Sequence, residues 1–260
     1  MKIERMWKMS KNQKYQDSIE QRCLDFIKNN MNEKDCFGLS NQQYIELQKW
    51  LKVAEPNFDS NKFPDFIFNV GFIEHFAVTS SLEDKKGAKQ KRESLVFKNK
   101  SEATFFSNLN SSEEDALLSR SFARPFVQHS HSNIVNSIKK SWVKHIDSYD
   151  KSISPPENGV FLLEYIDFNI ETAISRENEP VEVFETYRIS VDKNLLKWIY
   201  TFKEKIEYLI LINSLSLSFE VIRIDSIPNL IEGMPNVIYA PTVGMESHKY
   251  IGVKVKKKEI

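Results

Sequence analysis

Two short and almost uninterrupted apolar runs constrain the fold of this chain more than any other feature. They cover residues 160–166 and 208–212, and an amphipathic stretch at residues 195–206 lies between them. Apolar runs that lack alternation are typical of strands buried on both faces of a sheet, and such strands are usually joined by helices. The pattern therefore predicts a layered α/β or α+β protein, with a helix over residues 195–206.

The segment that precedes these runs predicts two helices and a hairpin. Apolar residues recur at helical spacing in residues 14–30 and again in residues 41–55. Residues 66–68 and 72–79 are rich in aromatic and β-branched side chains, and a turn-forming stretch at residues 69–71 separates them. We therefore expect two short strands joined by a turn.

Two more helices are predicted in the middle of the chain. Residues 133–149 carry apolar side chains at every third or fourth position, which is the clearest helical pattern in the sequence. Residues 116–122 are interpreted as a shorter helix that ends before Pro125. Residues 169–186 are interpreted as a polar excursion between the two apolar runs.

No shift in composition marks a linker, so residues 1–260 are predicted to form a single domain. This domain has three predicted parts, namely N-terminal helices at residues 1–62, a core at residues 63–213, and an edge strand with a basic tail at residues 214–260.

The composition excludes several classes of protein. The 36 basic and 36 acidic residues cancel, so nucleic-acid binding through bulk positive charge is excluded, although a local basic patch is not. With only 7 glycines, the chain contains none of the glycine-rich motifs that bind nucleotide phosphates. Its N-terminus is charged, its apolar runs are too short to cross a bilayer, and its two cysteines form no zinc-binding spacing. We therefore expect a cytoplasmic protein without membrane contact.

Three acidic residues are candidates for a metal-dependent active site. Glu46 lies on the second predicted helix, Asp65 opens the first hairpin strand, and Glu74 lies within the second. Hydrolysis of a phosphodiester requires carboxylates that converge on Mg²⁺, because the ion neutralises the phosphate and activates water. The alternative is that Asp65 only begins a strand and that Glu74 is a solvent-facing strand residue.

This pattern resembles the PD-(D/E)XK nuclease superfamily, which includes many restriction endonucleases. Pro64-Asp65 and Glu74 match the first two parts of the family motif, whereas Phe76 stands where the family has lysine. The predicted helix over residues 133–149, followed by a buried strand, is also similar to the family core.

The resemblance implies a mixed central sheet flanked by helices, as in restriction endonucleases. It implies hydrolysis of phosphodiester bonds in DNA, or alternatively RNA, with Mg²⁺ or Mn²⁺, and a role in bacterial defence or restriction. Asp65 and Glu74 would hold the metal ion, and Glu46 would be a third catalytic carboxylate. Related domains often form homodimers or join larger complexes.

Phe76 leaves the source of the catalytic cation open, because a phenyl ring cannot orient water or stabilise charge. Candidate replacements are Lys49, Lys85 and Lys86. The substitution equally fits a catalytically inactive nuclease-like module that binds nucleic acid or another subunit. A protein-interaction domain without any nucleic-acid link is a third alternative.

A basic run is the predicted nucleic-acid contact. Residues 85–100 contain seven basic residues and one acidic residue, and a solvated loop is the alternative interpretation. The residues predicted to contact phosphates are Lys85, Lys86, Lys89, Lys91 and Arg92.

The histidines give a weaker indication of a metal site. His129 and His131 could bind Zn²⁺ together, with His75 or His145 as a third ligand, but two ligands alone make no site. His75 is predicted to point away from Glu74, because successive strand residues face opposite sides of a sheet.

Overall fold

A computed structural model describes nine stretches of the chain, with side chains from residue 16 in the first and from residue 92 in the third. The stretches are residues 11–57, 63–81, 88–111, 116–125, 129–152, 157–167, 169–213, 215–241 and 245–255. The chain groups into two compact units, Met1–Ser80 with Ser130–Ala240 and Ser81–His129 with Pro241–Ile260. The predicted single domain stays a prediction.

The described residues contain six α-helices. They are α1 (Lys11–Asn30), α2 (Asn41–Val53), α3 (Ala88–Ser111), α4 (His131–Asp150), α5 (Lys193–Ile199) and α6 (Ile227–Ile231). None of these helices combines the length and the apolar character needed to span a bilayer.

The described strands form three sheets. They are β1 (Cys36–Phe37), β2 (Glu55–Pro56), β3 (Phe66–Phe68), β4 (Gly71–Val78), β5 (Leu117–Pro125), β6 (Asn158–Tyr165), β7 (Ile170–Ser175), β8 (Glu182–Phe184), β9 (Tyr208–Asn213), β10 (Ser218–Arg223), β11 (Asn236–Pro241) and β12 (Met245–Val253). The largest sheet has seven strands in the order β1-β10-β9-β6-β4-β3-β2.

The seven-stranded sheet is mixed. Strands β2, β3 and β4 form an antiparallel meander, whereas β4, β6 and β9 are parallel. Helix α4 connects β4 to β6 in a path that also passes through the second unit, and α5 precedes β9. The two apolar runs form β6 and β9, the central strands that are covered on both faces, so the predicted α/β class is confirmed.

Helices cover the two faces of this sheet. Side chains of α1 and α2 pack with Ile73 of β4 on one face. Side chains of α4 and α5 pack with Phe72 and Phe76 on the other. Because strand residues alternate between faces, Glu74 points to the α4 side and His75 points to the α1 side.

The main differences from the sequence predictions lie outside the central strands. Residues 116–122 are not a helix but part of β5, whose nine residues all pair with β12. This ladder of hydrogen bonds is formed with a distant segment, and it outweighs the local helical preference. The predicted helix over residues 195–206 is α5 followed by a 3₁₀ turn at Tyr200–Phe202, and the polar excursion contains β7 and β8.

Candidate active site

The hairpin places Asp65 and Glu74 beside each other at the end of β3. Phe66 of β3 pairs with Ile73 of β4, and Asp65 and Glu74 directly flank this pair. The Asp65 amide donates a hydrogen bond to Glu74 Oε2 at 3.1 Å, and the His75 amide donates one to Asp65 Oδ2 at 2.7 Å. The structure thus brings two of the three predicted carboxylates together.

A third carboxyl group, that of Glu20 on α1, interacts with this pair through its charge. Burial raises the pKa of Glu20 to about 7, and the charge of Asp65 adds to this effect. Burial and the charge of Glu74 raise the pKa of Asp65 to about 7. Burial, with a contribution from Glu20, raises the pKa of Glu74 to about 8. We call these three residues the carboxylate cluster.

The imidazole of His145 on α4 contacts the carboxylate cluster. Its Nδ1 lies 2.5 Å from Glu74 Oε1, and its ring stacks on Phe76 with centroids 4.6 Å apart and an angle of 11° between the planes. Burial lowers the pKa of His145 to about 4. Since the pKa of Glu74 is about 8, this pair holds a single proton at neutral pH. Phe76, at the position of the motif lysine, therefore holds an imidazole against the carboxyl group.

Lys144 is the cation nearest in sequence to this imidazole, and it is exposed on α4. Burial dominates the pKa of Glu74 and raises it, but the positive charge of Lys144 acts in the opposite direction. A cation is therefore available to the cluster from a helix rather than from the strand position that Phe76 occupies.

The donor atoms of the carboxylate cluster suit a hard divalent cation. Carboxylate oxygens are the ligands that Mg²⁺ and Mn²⁺ prefer, and closely spaced buried carboxylates ionise more readily when a cation neutralises them. Among the described residues, only one group, treated below, brings ligand atoms of three residues within 4.8 Å of one another, and it is a different group. The side chain of Glu20 must therefore turn toward Asp65 and Glu74 before all three carboxylates can share an ion.

The structure does not bring Glu46 to this cluster. Glu46 is exposed on α2, and its charge acts on Glu207 and on the phenol of Tyr208. Tyr208 begins β9, and β6 separates β9 from β4 in the sheet. Lys49 lies on the same helix and is also exposed, whereas the candidates Lys85 and Lys86 lie outside the described residues.

The rest of the predicted basic contact belongs to the second unit. Lys89 and Lys91 lie on α3, where only the backbone is described, and Arg92 is exposed on the same helix. The phosphate contacts predicted for this run stay a prediction.

His131 has a partner of a different kind from a metal ion. Its Nε2 lies 2.6 Å from Asp192 Oδ2, and its ring stacks on Tyr239 with centroids 4.0 Å apart. Asp192 Oδ1 also accepts a hydrogen bond from the amide of Leu195 and so caps the start of α5. This contact gives His131 a structural role.

Glu20 is the cluster residue that sequence reasoning missed, and His145 was considered only as a zinc ligand. Glu20 directly follows Ile19 in the apolar stripe of α1, and no motif distinguishes it from other acidic residues on helices. The only available signal for His145 was its place beside Lys144 on the clearest predicted helix.

Comparisons with models of protein families, with curated proteins and with solved structures find no match to this chain.

The stability of the metal-free protein should fall as the pH rises from 6.5 to 8. In this interval the unfolded chain has already lost the carboxyl protons that the folded cluster still holds, so ionisation disfavours the folded state. His75 and His145, whose pKa values are lowered to about 4, act in the opposite direction near pH 6.5, where the unfolded chain still binds part of their protons, but this effect is smaller than that of the carboxyl groups. We expect a loss of roughly 1 to 3 kcal/mol in the free energy of unfolding, measured by urea denaturation with a chelator present.

Asp65→Asn is the matched variant for this measurement. It removes one ionising group and its repulsion of the other two, so the loss of stability over the same pH interval should become smaller. An unchanged pH dependence in this variant would contradict the coupling of the three carboxyl groups.

Proposed function

We propose that this protein is a metal-dependent nuclease that hydrolyses phosphodiester bonds in DNA, with a restriction-endonuclease-like fold. The observation that carries the proposal is the pair of hydrogen bonds across the β3–β4 hairpin, from the Asp65 amide to Glu74 Oε2 and from the His75 amide to Asp65 Oδ2, with the charge of Glu20 acting on both carboxyl groups. One buried and two half-buried carboxyl groups, all with raised pKa values, are costly to stability, and such arrangements are typical of functional sites.

The order of elements supports the restriction-endonuclease-like fold. An antiparallel hairpin that carries the acidic pair is followed by α4 and then by β6, which pairs in parallel with β4. This is the order of strand, helix and strand on which the sequence resemblance rests. Residues Ser81–His129 of the second unit lie between β4 and α4 in the chain, and its residues Pro241–Ile260 follow β11, so the second unit contributes nothing to that order.

The residues of the site have distinct proposed roles. Asp65 and Glu74 hold the divalent cation, and Glu20 replaces Glu46 as the third carboxylate. When bound, the cation supplies charge neutralisation at the phosphate and an acidified water molecule. His145 fixes the orientation of the Glu74 carboxyl group, and Phe76 fixes the ring of His145.

Lys144 is the proposed replacement for the motif lysine. Its ammonium group is exposed, and its charge acts on Glu74. An ammonium group at this position can stabilise the negative charge that develops on the phosphate in the transition state. Lys144 therefore supplies from α4 the positive charge that the phenyl ring of Phe76 on β4 lacks.

The burial of Phe76 favours one alternative function. Only 5% of this residue is exposed, and its ring packs against Trp142 and Phe161 in the core. Because the side chain of Phe76 packs in the core and carries no catalytic group, this position is compatible with a nuclease-like module that binds nucleic acid without cutting it.

A cleavage assay separates these two functions. The full chain is incubated with supercoiled plasmid, single-stranded DNA and RNA, each with Mg²⁺, with Mn²⁺ or with a chelator. The nuclease proposal expects cleavage that requires the metal ion. Retarded migration of nucleic acid without cleavage of any substrate would favour the binding module instead.

Glu20→Gln should lower the cleavage rate by roughly 10-fold to 100-fold, whereas Glu46→Gln should leave it within about twofold. Glutamine keeps the shape of the side chain but removes a charged ligand at position 20, whereas the charge of Glu46 acts on Glu207 and Tyr208. Initial rates on one plasmid substrate provide the measurement. Equal losses in both variants, or a greater loss for Glu46→Gln, would contradict the assignment of Glu20.

A further inference from the structure

A second group of potential ligands lies on the other face of β4. It consists of Cys23 from α1, His75 from β4 and Glu164 from β6, and all three residues are buried. Their ligand atoms lie within 4.8 Å of one another. Each residue comes from a different element, which is why no spacing in the sequence indicates this group.

His75 is the residue that points to a ligand. Its side chain is completely buried, yet neither ring nitrogen has a hydrogen-bond partner. A buried polar group without a partner is costly, and such groups are rare in native proteins. Burial lowers the pKa of His75 to about 4, so the ring is neutral at physiological pH and offers a lone pair.

The distance between His75 and Glu164 suits a bridging ion better than a direct hydrogen bond, whereas the Cys23 thiol is within hydrogen-bond reach of Glu164. His75 Nε2 and Glu164 Oε2 are 3.8 Å apart, which is too long for a hydrogen bond. Two nitrogen or oxygen ligands of one tetrahedral zinc ion lie about 3.3 Å apart, given bonds of about 2.0 to 2.1 Å. Movements of about 1 Å or less would therefore place all three ligands on one ion.

We propose that Cys23, His75 and Glu164 bind a zinc ion that fixes α1 to the central sheet. A thiolate and an imidazole favour Zn²⁺ over Mg²⁺, which prefers oxygen ligands alone. Three protein ligands leave a fourth position for water. The Arg22 guanidinium, 4.0 Å from Glu164, is largely exposed, so a single side chain links this ligand to solvent.

The proposed zinc site is separate from the carboxylate cluster but shares two elements with it. Cys23 lies one helical turn after Glu20 on α1, and His75 is adjacent to Glu74 on β4. An ion that joins α1 to β4 would therefore fix the position of Glu20 relative to Glu74. The zinc site does not depend on the nuclease proposal and is tested without any activity assay.

The test uses Co²⁺ as a spectroscopic probe for the full chain. Metal-free protein is titrated with Co²⁺, and absorption is followed in the near ultraviolet, where a cobalt–thiolate bond gives a charge-transfer band. We expect a band that saturates at one equivalent and disappears when Zn²⁺ is added. Absence of a thiolate band in the unaltered chain at one equivalent would overturn the proposal.

The two cysteines of the chain provide a matched pair of variants. Cys23→Ser should abolish the band and weaken zinc binding by at least about tenfold in competition with a chelating dye. Cys36→Ser should change neither the band nor the zinc affinity, because Cys36 lies on β1 and its thiol donates a hydrogen bond to the carbonyl oxygen of Asn32. A band that survives in Cys23→Ser, or one that is lost in Cys36→Ser, would also overturn the proposal.

Glu164→Gln extends the test in case Cys23→Ser does not fold. This variant keeps the thiolate, so the charge-transfer band should persist while the affinity for zinc falls by at least about tenfold. Unchanged zinc affinity in a folded Glu164→Gln protein, checked by circular dichroism, would remove Glu164 from the site and refute the three-residue group.

Discussion

Asp65→Asn and Glu74→Gln should each lower the rate of phosphodiester cleavage by at least about 1,000-fold. Each substitution keeps the size of the side chain but removes a charged ligand from a site where the cation carries most of the charge stabilisation. Both hydrogen bonds across the hairpin come from backbone amides, and the side-chain oxygens of asparagine and glutamine can still accept them, so each substitution removes the charge but keeps these bonds. The measurement is the initial rate of plasmid cleavage at saturating Mg²⁺.

A stability measurement distinguishes this loss from simple unfolding. Burial raises the pKa values of both carboxyl groups in the metal-free protein, with contributions from the charge of Glu74 at Asp65 and from the charge of Glu20 at Glu74, so removing one charge should stabilise the fold at pH 8. Asp65→Asn should therefore melt at the same temperature as the unaltered chain or above it, with a chelator present. Glu177→Gln, which alters an exposed carboxyl group, controls for the substitution itself. More than a tenth of the original cleavage rate in either site variant would contradict the assigned roles.

Lys144→Ala should lower the cleavage rate by roughly 100-fold, the second largest effect that we expect. The reason is that the phenyl ring of Phe76 carries no charge, and the charge of Lys144 acts on Glu74. If Lys144 stabilises the transition state, the loss should appear in kcat, with KM changed by less than about threefold. Lys144→Arg keeps the charge and should recover part of the rate.

Lys139→Ala is the matched control for this prediction. Lys139 lies on the same helix, but its ammonium group packs over the ring of Trp198, 5.3 Å from the centroid. Its removal should leave kcat within about twofold. A loss at Lys144 confined to KM would mean that this lysine only binds substrate, and the catalytic cation would then have to come from another residue.

The central sheet was predictable because its strands have recognisable patterns in the sequence. The continuous apolar runs of β6 and β9 follow from burial on both faces, and residues 69–71 mark the turn between β3 and β4. The strand β5 was not predictable in the same way. Its pairing with β12 joins residues more than one hundred positions apart, and no local pattern in the sequence indicates such a contact.

The candidate site was predictable only where one local motif carries it. The hairpin sets Asp65 against Glu74 through strand register, so sequence alone could place that pair. Glu20 and His145 reach the same point through the packing of α1 and α4 on opposite faces of the sheet. Helix packing between residues this far apart along the chain follows no spacing rule, so no pattern in the sequence points to Glu20.

The most direct test is the anomalous diffraction of a crystal of the protein soaked in Mn²⁺, because manganese scatters anomalously and binds the same oxygen ligands as magnesium. The central claim is that Asp65, Glu74 and Glu20 hold a divalent cation. It predicts an anomalous peak in contact with carboxylate oxygens of Asp65 and Glu74, with Glu20 turned toward the ion. A crystal at saturating Mn²⁺ that shows no peak between Asp65 and Glu74 would contradict it.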